Sequence, residues 1–202
     1  MLKNSDELNG MREAGKLAAE VLEMITDYVK PGISTGELDE ICFKYITDVQ
    51  KAIPANVGYR GFEKTLCTSI NQVICHGIPD TNRILKSGDI MNIDVTVIKD
   101  GWHGDTSKMF LIGKAQSHNE RLVRVTQECL YKGIEAARPG ARLGDIGNAI
   151  QIHAEKNYYS VVEEYCGHGI GKIYHDEPQI LHYGEPNTGQ EIIEGMCFTI
   201  EP

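Results

Sequence analysis

The stretch that decides the fold is DIMNIDVTVIKDGWHGDTSKMFLIG, residues 89–113. Its first arm is rich in apolar and β-branched residues, which favour a strand that is buried on both faces. Lys99-Asp100-Gly101 stands near the middle, and an Asp-Gly pair is typical of the tight turn between antiparallel strands. The stretch therefore predicts a β-hairpin.

Two carboxylates, Asp94 and Asp105, stand on the two arms of this hairpin. A turn at Lys99-Asp100 would place them directly opposite each other, with Cβ atoms roughly 5 Å apart. A turn at Asp100-Gly101, which turn chemistry favours, would make them diagonal neighbours on one face at roughly 7 Å. A three-residue loop without a bulge would put them on opposite faces.

Like charges at such distances repel, so something must offset the repulsion between the two carboxylates. One interpretation is a solvent-exposed face on which water screens the repulsion. The apolar neighbours of Asp94 favour burial instead, and two buried carboxylates require a proton or a cation between them. Such an oxygen-rich site suits Mn, Fe, Co or Mg-like divalent ions.

Outward from the hairpin, the chain repeats itself. KPGISTGEL begins at Lys30 and RPGARLGDI begins at Arg138, about 108 positions later. SGDIMNID (87–94) likewise matches EGMCFTIE (194–201), about 107 positions later. Two matches in the same order predict two copies of one helix–helix–sheet unit, about 8–112 and 119–202, within a single domain. In this alignment Glu201 takes the place of Asp94.

Helical periodicity predicts four helices, two in each copy. The first begins at a capping box of Asn4 and Glu7 and runs to Pro31-Gly32. The second begins at Ser34, and the others cover about 119–138 and the residues from about 144. Strand-like runs are TLCTSI (65–70), VICHGI (73–78) and MCFTIEP (196–202).

Alternation along MCFTIEP predicts two different faces. Apolar side chains lie on one face, and the other carries Cys197, Thr199 and Glu201. A carboxylate at the tip of a strand that is otherwise apolar is a second candidate for cation binding.

His168 is the most informative of the seven histidines. It lies in YCGHGIGK (165–172), and glycines on both sides allow the backbone to approach another segment closely. An imidazole beside carboxylates moves a site from Mg²⁺ toward a transition metal. A phosphate loop is excluded because neither glycine-rich phosphate-binding spacing is present. His76 and His175 are candidates for substrate and oxyanion contacts, although each alone is more often structural.

Composition excludes several classes of protein. A formal net charge of −9 argues against nucleic acid and anionic membranes as partners. The six cysteines include no CxxC pair, which favours reduced thiols in the cytoplasm. The N-terminus shows neither a signal peptide nor a membrane span.

Five segments together resemble the type I methionine aminopeptidases: CHGIPD, the hairpin, YCGHGIG, HDEPQILHY and CFTIEP. The resemblance covers essentially the whole chain. It implies the pita-bread α/β fold, in which halves related by a pseudo-two-fold form an antiparallel sheet flanked by helices. It also implies a metal-dependent aminopeptidase that removes the initiator methionine from nascent proteins.

The same resemblance implies roles for individual residues. Two divalent ions (Co, Mn, Fe or Zn) are expected, held here by Asp94, Asp105, His168 and Glu201. Glu201 would also shuttle a proton, and His76 and His175 would contact the substrate amide and the developing oxyanion. GYRGFEKTLC (58–67) matches the segment that lines the methionine pocket, which implies Tyr59, Phe62 and Cys67, with Tyr174 nearby.

The chain departs from the family in one respect. The family's fifth ligand, a glutamate that bridges both metals, would lie beyond Glu201, so we expect a C-terminally truncated domain. One metal would keep Asp105, His168 and Glu201, and the other only Asp94 and Asp105. We therefore expect reduced metal affinity, with as few as one ion bound, and weak or no turnover.

Two rival interpretations remain from the sequence. One alternative to an active aminopeptidase is a weakly active or inactive homologue that retains only metal or peptide binding. Another enzyme of the same fold, such as a prolidase, is a weaker alternative because it would usually bring an extra N-terminal domain. The partners expected are N-terminal methionine peptides, with the ribosome as a further partner. No nucleic acid or membrane is expected, and the chain is expected to be a cytoplasmic monomer.

Overall fold

The computed structural model describes residues 1–2 and 4–202. The chain forms two compact units, Ser5–Glu120 and Met1–Asn4 with Arg121–Pro202. None of the helices in the described residues combines the length and the apolarity of a membrane span.

The first unit contains two helices, two short helical turns and four strands. The helices are α1 (Ser5–Ile25) and α2 (Thr35–Lys44), followed by a π-helical turn at Tyr45–Val49 and a 3₁₀ turn at Tyr59–Gly61. The strands are β1 (Ile53–Pro54), β2 (Leu66–Ile70), β3 (Ile90–Lys99) and β4 (Trp102–Leu111).

Strand β3 is the centre of an antiparallel sheet in this unit. β1 and β2 pair with one edge of β3, and β4 pairs with the other. Helices α1 and α2 cover one face with a core of buried aliphatic side chains, among them Val21, Ile25, Leu38, Ile93 and Val95. Because side chains alternate along β3, the opposite face carries Asp94.

Two sequence predictions in this unit are wrong. Helix α1 begins directly after Asn4 as predicted, but it ends at Ile25 and does not reach Pro31-Gly32. At this end the backbone changes to three-residue turns, in which the Thr26 N–H donates to the Glu23 carbonyl and the Tyr28 N–H to the Ile25 carbonyl. VICHGI forms no strand, because His76 has a φ of 55° and turns the chain out of the extended conformation.

The second unit has two helices and a two-stranded sheet. It contains α3 (Ser117–Ala136) from Arg121 onward, α4 (Leu143–Lys156), β5 (Gly167–Gly169) and β6 (Asp176–Ile180). β5 and β6 are antiparallel. The core of this unit is formed by buried side chains of the helices and of β6, among them Val125, Cys129, Ile146, Ile150 and Ile180.

The segment MCFTIEP is extended, but it is not the regular strand that the sequence predicts. Within this segment, Phe198 alone forms a β-bridge, with Gly169. Strand β5 is three residues long, so it has few backbone groups with which the segment can pair. The predicted alternation is confirmed: Met196, Phe198 and Ile200 pack against the core of this unit, whereas Thr199 and Glu201 lie on the side of His168.

The start of α2 and the start of α4 are built alike. The Ser34 N–H donates to the Glu37 carboxylate at 2.9 Å, and the Arg142 N–H donates to the Asp145 carboxylate at 2.7 Å. Ser34 bridges Ile84, and Arg142 bridges Glu191. The residues at the start of α2 and their counterparts at the start of α4 lie about 108 positions apart in the sequence, which supports the predicted repeat.

Candidate active site

The hairpin places Asp94 and Asp105 on one face as diagonal neighbours. The turn residues are Asp100 and Gly101, with φ of 50° and 82°, and Lys99 pairs with Trp102. In this register Asp94 faces Ser107 and Asp105 faces Thr96. The prediction of an Asp100-Gly101 turn is therefore confirmed, and the direct pairing is excluded. The reason is local, because glycine adopts the left-handed conformation of the second turn position without strain.

Neighbouring side chains hold this pair of carboxylates. The buried Thr96 hydroxyl donates to Asp105 Oδ1 at 2.9 Å. Cys67 on β2 pairs with Asp94, and burial raises the pKa of the Cys67 thiol to about 12, with a further contribution from the charge of Asp94. The thiol thus stays protonated at neutral pH, and the face presents carboxylates to a cation.

His168 and Glu201 form a second pair, in the other unit. His168 is buried, and its Nδ1 lies 3.0 Å from the Gly169 carbonyl oxygen. A carbonyl only accepts hydrogen bonds, so Nδ1 carries a proton, and in the neutral ring Nε2 then carries the lone pair. Nε2 lies 3.7 Å from Glu201 Oε1, a separation that one ion about 2.1 Å from each atom can bridge.

The glycines beside His168 are required by close packing. A Cβ at Gly167 would collide with the carbonyl oxygen of Thr199, and a Cβ at Gly169 would collide with that of Glu177. The glycines therefore let β5 lie between two other backbone segments, as the sequence predicts.

Two residues that sequence reasoning missed lie against Glu201. The Thr199 hydroxyl accepts the His168 N–H at 2.9 Å and donates to Glu201 Oε1 at 2.5 Å. His182 Nε2 accepts the Glu201 N–H at 3.1 Å, and burial lowers the pKa of His182 to about 4. Alternation in MCFTIEP gave a signal for Thr199, because it shares a face with Glu201. No signal in the sequence pointed to His182.

His175 is held by aromatic contacts. Its ring stacks on buried Tyr174, with centroids 4.1 Å apart, and lies 4.3 Å from the ring of His168. Of the residues predicted to contact the peptide, these two belong to the second unit.

The other predicted peptide contacts belong to the first unit. His76 is exposed, and its positive φ is maintained by its neighbour Gly77, whose carbonyl accepts the Thr68 N–H at 2.7 Å. Tyr59 and Phe62 lie on one short loop, which the Gly58 N–H closes onto the Phe62 carbonyl at 2.7 Å. Cys67 follows on β2, beside Asp94.

The donor atoms of the four predicted ligands fit a divalent transition metal, since they combine carboxylates with an imidazole whose Nε2 is the acceptor. Within residues 1–2 and 4–202, no group of three or more His, Cys, Asp and Glu side chains has the spacing to hold a metal ion. Asp94 and Asp105 lie on one face in the first unit, and His168 and Glu201 are paired in the second. The expectation of reduced turnover stays a prediction.

Known proteins resemble the chain over its whole length. Residues 9–202 match the model of metallopeptidase family M24. The methionine aminopeptidase of Salmonella typhimurium is 60% identical over 201 residues, which cover 100% of this chain and 76% of that protein. The methionine aminopeptidase of Rickettsia prowazekii is 57% identical over 192 residues, which cover 95% of this chain and 73% of that protein.

Solved structures agree with these relatives. The crystal structure of the Rickettsia prowazekii methionine aminopeptidase has a TM-score of 0.97 at 54% identity, covering 99% of this chain and 80% of that one. The Thermotoga maritima methionine aminopeptidase has a TM-score of 0.94 at 34% identity, covering 97% and 78%. The prolidase from Pyrococcus furiosus, at 19% identity and a TM-score of 0.82, shares the fold alone. The predicted pita-bread fold is thereby confirmed, and the chain belongs to metallopeptidase family M24, within it to the methionine aminopeptidases.

Proposed function

We propose that Asp94, Asp105, His168 and Glu201 bind a divalent metal centre with which the chain hydrolyses the bond after an N-terminal methionine. The observation that carries this proposal is the pair formed by His168 and Glu201. The Gly169 carbonyl fixes the tautomer that leaves a lone pair on His168 Nε2, and Glu201 Oε1 lies 3.7 Å from that atom. Fixing a ligand histidine through its second nitrogen is typical of metal sites.

The diagonal pair of Asp94 and Asp105 supports the same proposal. Two half-buried carboxylates on one face repel each other unless a cation lies near them. Catalytic transition metals usually have three or more protein ligands, so neither pair is sufficient by itself. Together the pairs supply four donors, a set that suits Mn, Fe, Co or Zn.

Different residues of the chain have different roles in the proposed hydrolysis. A divalent ion, when bound, polarises the scissile carbonyl and makes water acidic enough to ionise near neutral pH. Glu201 accepts the proton of the attacking water on its carboxylate and returns it to the leaving amine. His175, held by its stack on Tyr174, and His76 donate to the oxygen that becomes negative.

The substrates are peptides with an N-terminal methionine. The side chain of that methionine is apolar and unbranched, and the residues proposed to bind it are Tyr59, Phe62, Cys67 and Tyr174. A left-handed conformation at His76 costs roughly 1–2 kcal/mol, and such strain is concentrated at functional sites, which supports its role in binding the peptide. Ribosome association, a monomeric state and a cytoplasmic location stay predictions.

The test combines metal binding with catalysis. Co²⁺ binding to the metal-free chain is followed by its visible absorption, and methionine release is measured on a Met-Ala-Ser peptide. We expect Asp105→Asn and Glu201→Gln to weaken Co²⁺ binding by at least tenfold and to abolish release. Methionine release by the wild-type chain should cease when a chelator is added.

Asp100→Asn is the matched control for Asp105→Asn. It makes the same chemical change on the same hairpin, and Asn-Gly forms the same turn as Asp-Gly. It should bind Co²⁺ as the wild-type chain does. Equal Co²⁺ affinity in Asp105→Asn and the wild-type chain would overturn the assignment of the ligands. Release that persists in the chelator would overturn a metal-dependent mechanism.

A further inference from the structure

We propose that Thr199 and His182 are positioning residues that fix the carboxylate and the backbone of Glu201 for metal binding and proton transfer. The inference rests on the proposed function, in which Glu201 is a ligand. Strand alternation places Thr199 on the same face as Glu201, but the roles of both residues are identified by their contacts.

The Thr199 hydroxyl connects the two donors of this unit. It has one proton, which it donates to Glu201 Oε1 at 2.5 Å, and its lone pair accepts the His168 N–H at 2.9 Å. Hydrogen bonds from a hydroxyl to a carboxylate are short and about twice as strong as neutral ones. The position of Glu201 Oε1 is thereby tied to the backbone of His168.

The hydrogen bond from Thr199 matters because the Glu201 side chain is flexible and partly exposed. That side chain is 45% exposed, whereas that of His168 is 11% exposed. A glutamate side chain rotates about three bonds, and holding it in one conformation costs of order 1 kcal/mol or more in entropy. The threonine hydrogen bond offsets part of that cost before a metal or a substrate arrives.

Packing does not explain the Thr199 hydroxyl. The core of this unit is contacted by the other face of the segment, through Met196, Phe198 and Ile200. Thr199 already joins β5 through its own N–H, which donates to the His168 carbonyl at 2.8 Å. Removing the hydroxyl therefore leaves that backbone contact and the core in place.

His182 fixes the backbone of the same residue. Its Nε2 accepts the Glu201 N–H at 3.1 Å, and the ring is 3% exposed. The bridge of Phe198 with Gly169 is the last pairing along this segment within the described residues, so a side chain holds the backbone at Glu201. Only a ring with a lone pair on Nε2 can accept this bond, so the imidazole is neutral.

The inference predicts an effect on the metal that a purely structural role would not produce. Thr199→Val keeps the shape and removes the hydroxyl, and we expect Co²⁺ affinity to fall by about 10- to 100-fold. The visible spectrum of bound Co²⁺ should change, because the carboxylate is free to rotate. Thr199→Ser restores the hydroxyl and should restore both the affinity and the spectrum.

Thr188→Val is the matched control. It makes the same change on an exposed loop of the same unit, where the hydroxyl bonds the Glu185 carbonyl. It should bind Co²⁺ like the wild-type chain. If Thr199→Val fails to fold, Thr199→Ala replaces it in the same comparison. Wild-type affinity and spectrum in a folded variant without the hydroxyl would overturn the role of Thr199.

For His182, two variants separate hydrogen bonding from packing. His182→Gln retains an oxygen acceptor within reach of the Glu201 N–H, and His182→Leu does not. We expect His182→Gln to retain Co²⁺ affinity better than His182→Leu, by at least threefold. Equal affinity in the two variants would overturn the role of His182.

The same titrations distinguish this inference from the proposed function. Wild-type Co²⁺ affinity in Glu201→Gln would overturn Glu201 as a ligand, and with it both proposals. Loss of affinity in Glu201→Gln together with wild-type behaviour in Thr199→Val would overturn only the role of Thr199.

Discussion

At the scale of single residues, the site depends on glycines, which lack a Cβ, as much as on its charged side chains. Gly169→Ala would place a Cβ against the carbonyl of Glu177, and backbone atoms cannot rotate away. We expect the free energy of unfolding to fall by about 1–3 kcal/mol, the usual cost of overpacking. Urea denaturation measures it.

Gly15→Ala is the control for this prediction and should change stability in the opposite direction. Gly15 lies within α1, where a new Cβ would meet no atom within 4 Å. Alanine is a better helix former than glycine by about 0.5–1 kcal/mol, so the chain should become more stable. A stability loss in both variants would contradict the close packing of β5 as the cause.

Residues of the site differ in how far the sequence could predict them. Asp94, Asp105, His168 and Glu201 stand out because a charged or imidazole group interrupts an apolar or glycine-rich stretch. His182 does not, because its partner Glu201 is 19 positions away and the contact arises only when the chain folds. Sequence patterns report local chemistry and not the partners that folding selects.

Among the elements, the hairpin turn determines how the two aspartates face each other. Gly101 has a φ of 82°, a conformation that costs an L-residue about 1–2 kcal/mol. We expect Gly101→Ala to reduce the free energy of unfolding by that amount in urea denaturation. Asp100→Asn, in the preceding position, should leave it unchanged. A Gly101→Ala variant as stable as the wild-type chain would contradict the positive φ.

The helices α3 and α4 are joined by a hydrogen bond that depends on pH. His153 Nε2 donates to Glu128 Oε2 at 2.8 Å, and Arg124 donates to Glu128 Oε1 at 2.6 Å. The bond from His153, followed by that from Arg124, lowers the pKa of Glu128 below its ordinary value of 4.5. The stabilisation is therefore complete above about pH 4.5 and is lost as the pH falls through the lower pKa of the folded state.

Glu128→Gln tests this pH dependence. We expect the variant to have a lower Tm than the wild-type chain at pH 7, and the difference to shrink toward pH 3.5. Because the pair is partly exposed, added salt should also reduce the difference at pH 7. Glu163→Gln, an exposed position of the same unit, serves as the control and should show neither effect. A Tm difference independent of pH would contradict the role of the Glu128 charge.

Elements were predictable where the signal is local. The start of α2 at Ser34 and the Asp100-Gly101 turn follow from neighbouring residues, and both are confirmed. VICHGI was mistaken for a strand because its apolar run resembles one. The left-handed conformation at His76 comes with the docking of Gly77 against Thr68 and Ser69 of β2, which no pattern within the segment reveals.

For the whole molecule, the two units are alike in construction and each has its own core. Each begins its second helix with an acidic side chain that bonds back to the N-cap N–H, from Glu37 in one unit and Asp145 in the other. Each also orients a carboxylate with a threonine hydroxyl, Thr96 for Asp105 and Thr199 for Glu201. The proposed function assigns both pairs of donors to one metal centre.

A single metal centre bound by both pairs, as proposed, would have a thermodynamic consequence. A metal that binds only the folded chain stabilises it by about 2.7 kcal/mol at a concentration 100 times its dissociation constant, and Tm rises accordingly. Asp105→Asn removes a donor from one unit, and His168→Asn removes a donor from the other. If both serve one centre, the double variant should lose little more of the Co²⁺-dependent Tm increase than either single variant, because coupled sites are not additive. If the pairs bind ions independently, the two losses add, and the single centre is contradicted.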